Sequence, residues 1–210
     1  MKELTKENLI KELIADGYLK TPSIIEAFNA IDRKDFVREE AKEEAYGNYP
    51  LAIGFEQTIS QPLTVAFMLE LLEPKVGEKI LDVGAGSGWQ TAMLAKIVGE
   101  QGKIFAVERI PELKKFAEEN ISKYGFVENG IAKILEGDGS KGLTEEAPYD
   151  KIIAAATAEE IPQAWKDQLK MGGRIVAPVG QSIIVLDKTG QNQFAQKQYF
   201  GFNFVPLITA

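Results

Sequence analysis

Apolar residues recur at helical spacing near the start of the chain. A helix is predicted over residues 5–15, where four apolar side chains share one face and Gly17 follows as a stop signal. A second helix is predicted to begin after Thr21, a candidate N-cap that precedes Pro22. Residues 46–60 contain two glycines and one proline, so irregular structure is expected there.

From residue 61 onward, short runs rich in Ile, Val and Ala alternate with amphipathic segments. Almost continuously apolar runs are expected for parallel strands that are covered on both faces. Strands are predicted at residues 79–86, 103–108, 132–138, 150–156, 173–180 and 182–187, and helices at 62–72, 89–98, 111–124 and 161–170. This alternation predicts a doubly wound α/β fold with a mostly parallel sheet. An antiparallel C-terminal hairpin is predicted to turn at residues 188–191, followed by extended chain to residue 209.

The sequence contains no repeat, low-complexity tract or Pro/Gly/Ser-rich linker that would divide the chain. One compact domain is therefore predicted, and it has two parts. Residues 1–60 are expected to form a helical cap with a loop beside the functional site. Residues 61–210 are expected to form the α/β core.

The amino-acid composition excludes several kinds of chemistry. The chain of 210 residues contains neither His nor Cys, so disulfides, thiolate nucleophiles, imidazole bases and metal sites built on these residues are excluded. Its net charge is −7 without any run of Lys and Arg, so nucleic acid is not expected as a partner. No apolar run is long enough to span a bilayer, and no signal-peptide core is visible. A cytoplasmic monomer without a metal or membrane partner is expected.

A glycine-rich loop at residues 84–88 follows the first predicted strand of the core, with the spacing G-x-G-x-G. These glycines permit a tight turn and the close approach of a ligand to the backbone. The next strand ends in Glu108, whose carboxylate can accept hydrogen bonds from two ribose hydroxyls, and the third ends near Asp138. Each feature alone also occurs in ordinary loops, but three on successive strands predict a nucleoside-binding site.

Motifs along the core resemble, in order, those of the class I S-adenosylmethionine-dependent methyltransferases. They read LDVGAGSG, VERI, GDG, YDKIIAAAT and GGRIVAPVG. The segment AYGNYPLAIGFEQTISQP and the closing VPLI are similar to the narrower protein-L-isoaspartate O-methyltransferase family, whose members carry a G-Q-T-I-S-x-P segment before the cofactor domain. The similarity extends from Ile31 to Ile208, which is most of the chain. It implies a Rossmann-like methyltransferase fold with S-adenosyl-L-methionine as the cofactor.

The resemblance also implies which residues bind the cofactor. The expected set is Asp82, Gly84, Ala85, Gly86, Ser87, Gly88, Glu108, Asp138 and Gly139, with no metal. Asp82 would help to hold the ammonium end of the cofactor and Glu108 would bind the ribose. Asp138, with the backbone of Gly139, would contact the adenine edge.

Thr58, Ile59 and Ser60 are expected, on the same resemblance, to bind the substrate where the methyl group meets the substrate carboxylate. Ser60 is the catalytic candidate, as a hydrogen-bond donor to one carboxylate oxygen. An alternative role for Ser60 is to cap the helix that begins at Gln61 or Pro62. The two roles are compatible, because a helix N-terminus attracts a carboxylate.

The family reaction transfers a methyl group to the free α-carboxylate of an isoaspartyl residue in a damaged protein or peptide, which begins its repair. A carboxylate is ionised at neutral pH and the leaving group is a neutral thioether, so neither a base nor an acid is required. Two alternatives remain open: a methyltransferase that acts on another carboxylate, such as an aspartyl side chain, and a non-catalytic S-adenosylmethionine-binding protein. The glycine spacing disfavours a nicotinamide dehydrogenase.

Two residues depart from the family pattern. Glu56 stands where family members usually have Gly, which indicates a backbone with positive φ or a close approach to substrate. Its charge lies near a site for carboxylates, unless the side chain points into solvent. Trp89 stands where Tyr is more frequent, and its packing over the cofactor loop is expected to be retained.

Overall fold

The computed structural model describes residues 3–209 and contains a seven-stranded sheet flanked by helices, beside a separate two-stranded hairpin. The helices are α1 Lys6–Ala15, α2 Pro22–Ala30, α3 Pro62–Leu72, α4 Trp89–Val98, α5 Pro111–Ser122 and α6 Gln163–Gln168. The strands are β1 Leu51–Gly54, β2 Gln57–Ile59, β3 Lys79–Val83, β4 Lys103–Glu108, β5 Ala132–Glu136, β6 Tyr149–Ala154, β7 Leu169–Val179, β8 Ser182–Gly190 and β9 Gln193–Phe200.

The order of strands in the large sheet is β5-β4-β3-β6-β7-β8-β9. Strands β3 to β7 pair in parallel, whereas β7, β8 and β9 pair antiparallel. The predicted doubly wound fold with an antiparallel C-terminal hairpin is therefore confirmed. Strand β4, which follows β3 in the chain, pairs with one edge of β3, and the later strand β6 pairs with its other edge. Such a switch point is where open α/β sheets bind ligands.

Successive residues of each central strand face two different apolar cores. Ile80 of β3 and Ile104 of β4 lie in a core that includes helices α1 to α5. Their neighbours Leu81 and Phe105 lie in a second core, on the face where α6 buries Trp165. Because both faces are covered, the parallel strands consist of nearly continuous apolar runs.

Two predictions for the N-terminal part are corrected or refined. Residues 46–60 are not irregular throughout, because they contain the antiparallel hairpin of β1 and β2. Thr21 is the N-cap of α2 as predicted, but its side chain makes no capping hydrogen bond. Its hydroxyl and backbone N–H donate instead to the carboxylate of Glu70 in α3. The division of the domain at residue 60 stays a prediction.

Two boundaries in the C-terminal part also differ from the prediction. The helix predicted at residues 161–170 ends at Gln168, because Leu169 already pairs with Tyr149 and begins β7. The hairpin turns at residues 191–192, which overlap the predicted 188–191 only at its last residue, because β8 and β9 remain paired as far as Gly190. Tertiary pairing therefore overrides the local helical pattern and lengthens the strands.

Candidate functional site

A pocket opens at the carboxyl ends of β3, β4 and β6, at the switch point of the sheet. Its empty space is about 800 Å³, including the open mouth. The predicted site residues that line it are Thr58, Ile59, Ser60, Gly84, Ala85, Gly86, Ser87, Glu108 and Gly139. The structure thus brings together nine residues from four separate segments of the sequence, at 58–60, 84–87, 108 and 139.

Glu108 joins the end of β4 to the glycine loop. One carboxylate oxygen accepts a hydrogen bond from the Gly86 N–H at 2.8 Å, and the other accepts from the Ile110 N–H at 3.0 Å. Gly86 has a φ of 55°, a conformation that is costly for residues with a Cβ atom. A carboxylate has about four lone-pair positions, so Glu108 keeps acceptor capacity toward the pocket.

Asp82 lies beneath the glycine loop and not in the pocket wall. Its fully buried carboxylate accepts hydrogen bonds from Gln90 Nε2 at 2.8 Å and from Thr91 Oγ1 at 2.6 Å. Burial raises the pKa of Asp82 to about 6; the two hydrogen bonds oppose this shift, and the charge of Glu108 adds to it. In this structure Asp82 ties the first turn of α4 to β3.

Gly88 and Asp138 also lie outside the pocket wall. Gly88 is the N-cap of α4, and a Cβ atom there would lie 2.9 Å from Ile121 of α5. Asp138 accepts hydrogen bonds from the backbone N–H and the hydroxyl of Ser140, which shapes the turn that places Gly139 in the wall. These two residues support the loops that form the pocket.

Several wall residues were not among the predicted cofactor-binding or substrate-binding residues. They are Gln57, Val65, Val83, Trp89, Gln90, Val107, Arg109, Ile110, Ala155, Ala156 and residues 205–208. The C-terminal segment is held by Thr157, whose N–H donates to the Val205 carbonyl and whose carbonyl accepts from the Leu207 N–H, both at 2.8 Å. The closing VPLI motif was the available signal for this segment, and the position beside Glu108 was the signal for Arg109.

A second cavity lies directly beside the first. It has an empty space of about 970 Å³ including its mouth, and it is lined by Ala155 and by residues of segments 50–64 and 201–205. Thr58, Ser60, Ala155 and Val205 belong to the walls of both cavities. Ser60 therefore stands at the boundary between two adjoining spaces.

The predicted capping role of Ser60 is wrong. Helix α3 begins at Pro62, so its N-cap is Gln61, and the Gln61 side chain makes no capping bond. The N–H of Leu63 is satisfied from another segment, by the Asn48 side chain at 3.0 Å. Among residues 3–209 the Ser60 hydroxyl has no hydrogen-bond partner, so it is available to a ligand.

The buried side chain of Arg33 fixes the backbone around Ser60. Its guanidinium donates to the carbonyl oxygens of Ala45, Gly47, Tyr49 and Ser60, at 2.6, 3.3, 3.1 and 3.0 Å. The same group lies over the ring of Trp89, 5.3 Å from the ring centroid. Burial lowers the pKa of Arg33 to about 9, which still leaves the group positively charged at neutral pH.

The β1–β2 hairpin turns through Phe55 and Glu56, with φ values of 56° and 58°. The positive φ predicted for Glu56 is thus confirmed, and Phe55 shares it. In the described part of the chain the exposed Glu56 carboxylate makes no ion pair or hydrogen bond. Its influence on substrate preference stays a prediction.

The chain matches the sequence model of the family Protein-L-isoaspartate(D-aspartate) O-methyltransferase over residues 4–210. It is 42% identical over 207 residues to the protein-L-isoaspartate O-methyltransferase of Methanopyrus kandleri, covering 97% of this chain and 91% of the relative. It is 43% identical over 211 residues to that of Ignicoccus hospitalis, covering 98% of each. The chain therefore belongs to this family.

The fold is also similar to that of a Plasmodium falciparum chain crystallised in complex with S-adenosyl-L-homocysteine. That chain is named for protein-L-isoaspartate O-methyltransferase, and the TM-score is 0.87 at 23% identity, covering 97% of this chain and 98% of the other. This likeness concerns the fold. Within residues 3–209 no helix is long and apolar enough to cross a membrane. The same residues contain no group of three or more acidic side chains placed to hold a metal ion.

Replacing Glu56 by Gly is expected to stabilise the protein by up to about 1 kcal/mol. A left-handed conformation costs a residue with a Cβ atom about 1–2 kcal/mol, and the larger entropy of unfolded Gly offsets part of the gain. Glu56→Ala is the control, because it removes the carboxylate but keeps the Cβ atom and the strain. Urea denaturation measures the free energy of unfolding of both variants. An equal stability change in the two variants would contradict the backbone explanation.

Proposed function

We propose that this family member transfers the methyl group of S-adenosyl-L-methionine to the free α-carboxylate of L-isoaspartyl residues in damaged proteins or peptides. The observation that carries the proposal is the pair of adjoining cavities that share Thr58 and Ser60. One cavity has the wall expected of a nucleoside site, and the other is open to a second molecule. A two-substrate transfer requires such an arrangement.

The first cavity fits the cofactor. Its walls combine the glycine loop at the end of β3 with Glu108 at the end of β4, whose carboxylate keeps acceptor capacity for ribose hydroxyls. When bound, S-adenosyl-L-methionine supplies an electrophilic methyl group on a positively charged sulfur. Asp82 would act on the ammonium end only through the loop and α4, because its carboxylate is buried beneath them.

The second cavity fits a carboxylate that enters from a peptide. In the part of the chain that the structure describes, its walls contain no charged residue and include the hydroxyl groups of Thr58, Ser60 and Thr64. Ser60 would donate to one carboxylate oxygen and so direct the other oxygen toward the first cavity. Since the carboxylate is already ionised, the protein needs only to align the reactants and exclude water, and alignment can supply about 7–11 kcal/mol.

The proposal also covers the oligomeric state of the protein, its location in the cell and one class of excluded partner. The expectations are that the protein acts as a monomer, that it works in the cytoplasm, and that nucleic acid is not a partner. Sedimentation would test the first of these. A net charge of −7 supports the last, because phosphate backbones bind clustered cations.

The direct test compares two synthetic peptides that differ only at one linkage, isoaspartyl in one and normal aspartyl in the other. Incubation with radiolabelled cofactor should produce a base-labile methyl ester on the isoaspartyl peptide alone. Equal labelling of both peptides would favour a methyltransferase for carboxylates in general. Cofactor binding by calorimetry without labelling of either peptide would favour a non-catalytic binding protein.

Replacing Ser60 by Ala is expected to lower turnover on the isoaspartyl peptide by roughly 10- to 100-fold, the effect of losing one hydrogen bond to a charged group. The free energy of unfolding should change by less than about 0.5 kcal/mol, because the Ser60 hydroxyl makes no hydrogen bond within residues 3–209. Ser122→Ala, at the end of α5, is the control and should change neither quantity. Wild-type turnover in the Ser60 variant would exclude a catalytic role.

Replacing Glu108 by Gln is expected to weaken the binding of S-adenosyl-L-homocysteine by at least about tenfold, because a neutral amide is a poorer acceptor for ribose hydroxyls and for the Gly86 N–H. Glu136→Gln is a matched control, since Glu136 pairs with Glu108 in register at the end of β5 but does not line the pocket. Isothermal calorimetry measures the affinity of each variant for S-adenosyl-L-homocysteine. Equal affinities would show that Glu108 does not bind the cofactor.

A further inference from the structure

We infer that the turn at Asn129–Gly130 is a damage site of this chain, where an isoaspartyl linkage forms and is then methylated by a second copy of the protein. The formation of the linkage is independent of the proposed function, whereas the methylation step rests on it. Asn129–Gly130 is the only Asn-Gly pair among the 210 residues. It lies in the turn that connects α5 to β5.

The Asn129 side chain is exposed and unrestrained. Both residues of the pair are exposed, and the Asn129 amide group makes no hydrogen bond within residues 3–209. Two other asparagines are held more firmly: Asn120 is buried and donates to the Ser87 carbonyl at 3.1 Å. The Asn48 side chain accepts the Leu63 N–H. Only in the Asn129 turn does a free amide precede a residue without a side chain.

The chemistry requires water and no other reactant. The Gly130 backbone nitrogen attacks Cγ of Asn129, a new C–N bond forms, the bond to the side-chain nitrogen breaks, and ammonia leaves. Water then opens the resulting succinimide at one of its two carbonyls. Opening at the former backbone carbonyl leaves a free α-carboxylate and a backbone that runs through the side chain, which is an isoaspartyl residue. Glycine permits the attack best, because no Cβ atom shields its nitrogen.

The folded turn slows this reaction without preventing it. The Gly130 N–H donates to the Val127 carbonyl at 2.9 Å, and the Asn129 N–H donates to the Gly125 carbonyl at 3.0 Å. The attacking nitrogen is therefore occupied until the turn opens locally. Exposed turns open at low free-energy cost compared with core elements. The rate in the folded chain is thus expected to be lower than in a free peptide of the same sequence.

A molecule cannot repair this site in itself. Gly130 lies at the amino end of the parallel sheet, where its carbonyl accepts a hydrogen bond from Lys103, the first residue of β4. Glu108, the last residue of the same strand, lines the pocket at the opposite edge. The intervening strand has a length of about 16 Å at roughly 3.3 Å per residue. The methyl donor must therefore be bound to a second copy.

Formation of the isoaspartyl linkage would also make the turn easier for a second copy of the protein to bind. The inserted backbone atom shifts the register of the turn, in which the N–H groups of Ile131 and Ala132 both donate to the Phe126 carbonyl at 2.9 Å. Loss of these hydrogen bonds releases an extended segment that carries a free carboxylate. Such a segment is the form in which a peptide would enter the second cavity.

The experiment ages the purified chain at raised temperature and maps its peptides by mass and by separation of aspartyl from isoaspartyl forms. Aged and fresh samples are then incubated with radiolabelled cofactor and fresh enzyme. Asn129→Gln removes the site, and Asn192→Gln is the matched control, because Asn192 lies in the exposed β8–β9 turn before Gln193. The expected label appears on the peptide containing residue 129 in aged wild type and aged Asn192→Gln, and is absent from Asn129→Gln.

The outcomes separate the two steps. Absence of an isoaspartyl peptide at residue 129 overturns the damage site. Labelling that does not rise with the concentration of added enzyme overturns transfer between copies. Isoaspartate at residue 129 that stays unlabelled, while a synthetic isoaspartyl peptide is labelled, overturns the repair step and leaves the proposed function intact. If the synthetic peptide also stays unlabelled, the proposed function itself fails, and the peptide map alone decides the damage site.

Discussion

The position of the chain around Ser60 depends on the hydrogen bonds that the buried guanidinium of Arg33 makes. Within residues 3–209 this guanidinium has no carboxylate partner, and its hydrogen bonds go to four backbone carbonyls in residues 45–60. A buried charge is costly unless hydrogen bonds compensate for lost hydration, so these carbonyls must stay converged on it. Its stacking on Trp89 connects this segment to the first turn of α4. The Ser60 backbone is thereby held in place relative to the glycine loop.

Two carboxylates fix the glycine loop and the start of α4 in the same way. Asp82 holds α4 to β3, and Glu108 holds the Gly86 N–H to the end of β4. In each case a charged group binds loop backbone or neighbouring polar side chains instead of another charge. Loops fixed by such bonds lose little conformational entropy when a ligand binds. The site therefore depends on the position of backbone segments more than on reactive side chains.

Local sequence patterns were sufficient for the parallel strands and the glycine loop, because the apolar runs and the G-x-G-x-G spacing are short-range signals. Local patterns failed to predict an element where the contact that determines it comes from a distant segment of the chain. The β1–β2 hairpin was missed because its turn uses Phe55 and Glu56 with positive φ in place of the usual Gly or Asn. The cap of α3 was misassigned because Asn48, from another segment, supplies it. Strand β7 begins early because it pairs with β6.

The absence of His and Cys follows naturally from the charges involved in the reaction. A sulfonium and a carboxylate carry opposite charges, whereas the products, a thioether and an ester, are neutral at the reacting atoms. A weakly polar enclosure opposes separated charges and favours their neutralisation. Among residues 3–209 the wall of the second cavity is uncharged and the Ser60 hydroxyl at its boundary has no hydrogen-bond partner, so these surroundings match that requirement. An imidazole or thiol at that boundary would add a competing acid or nucleophile, and the reaction requires neither.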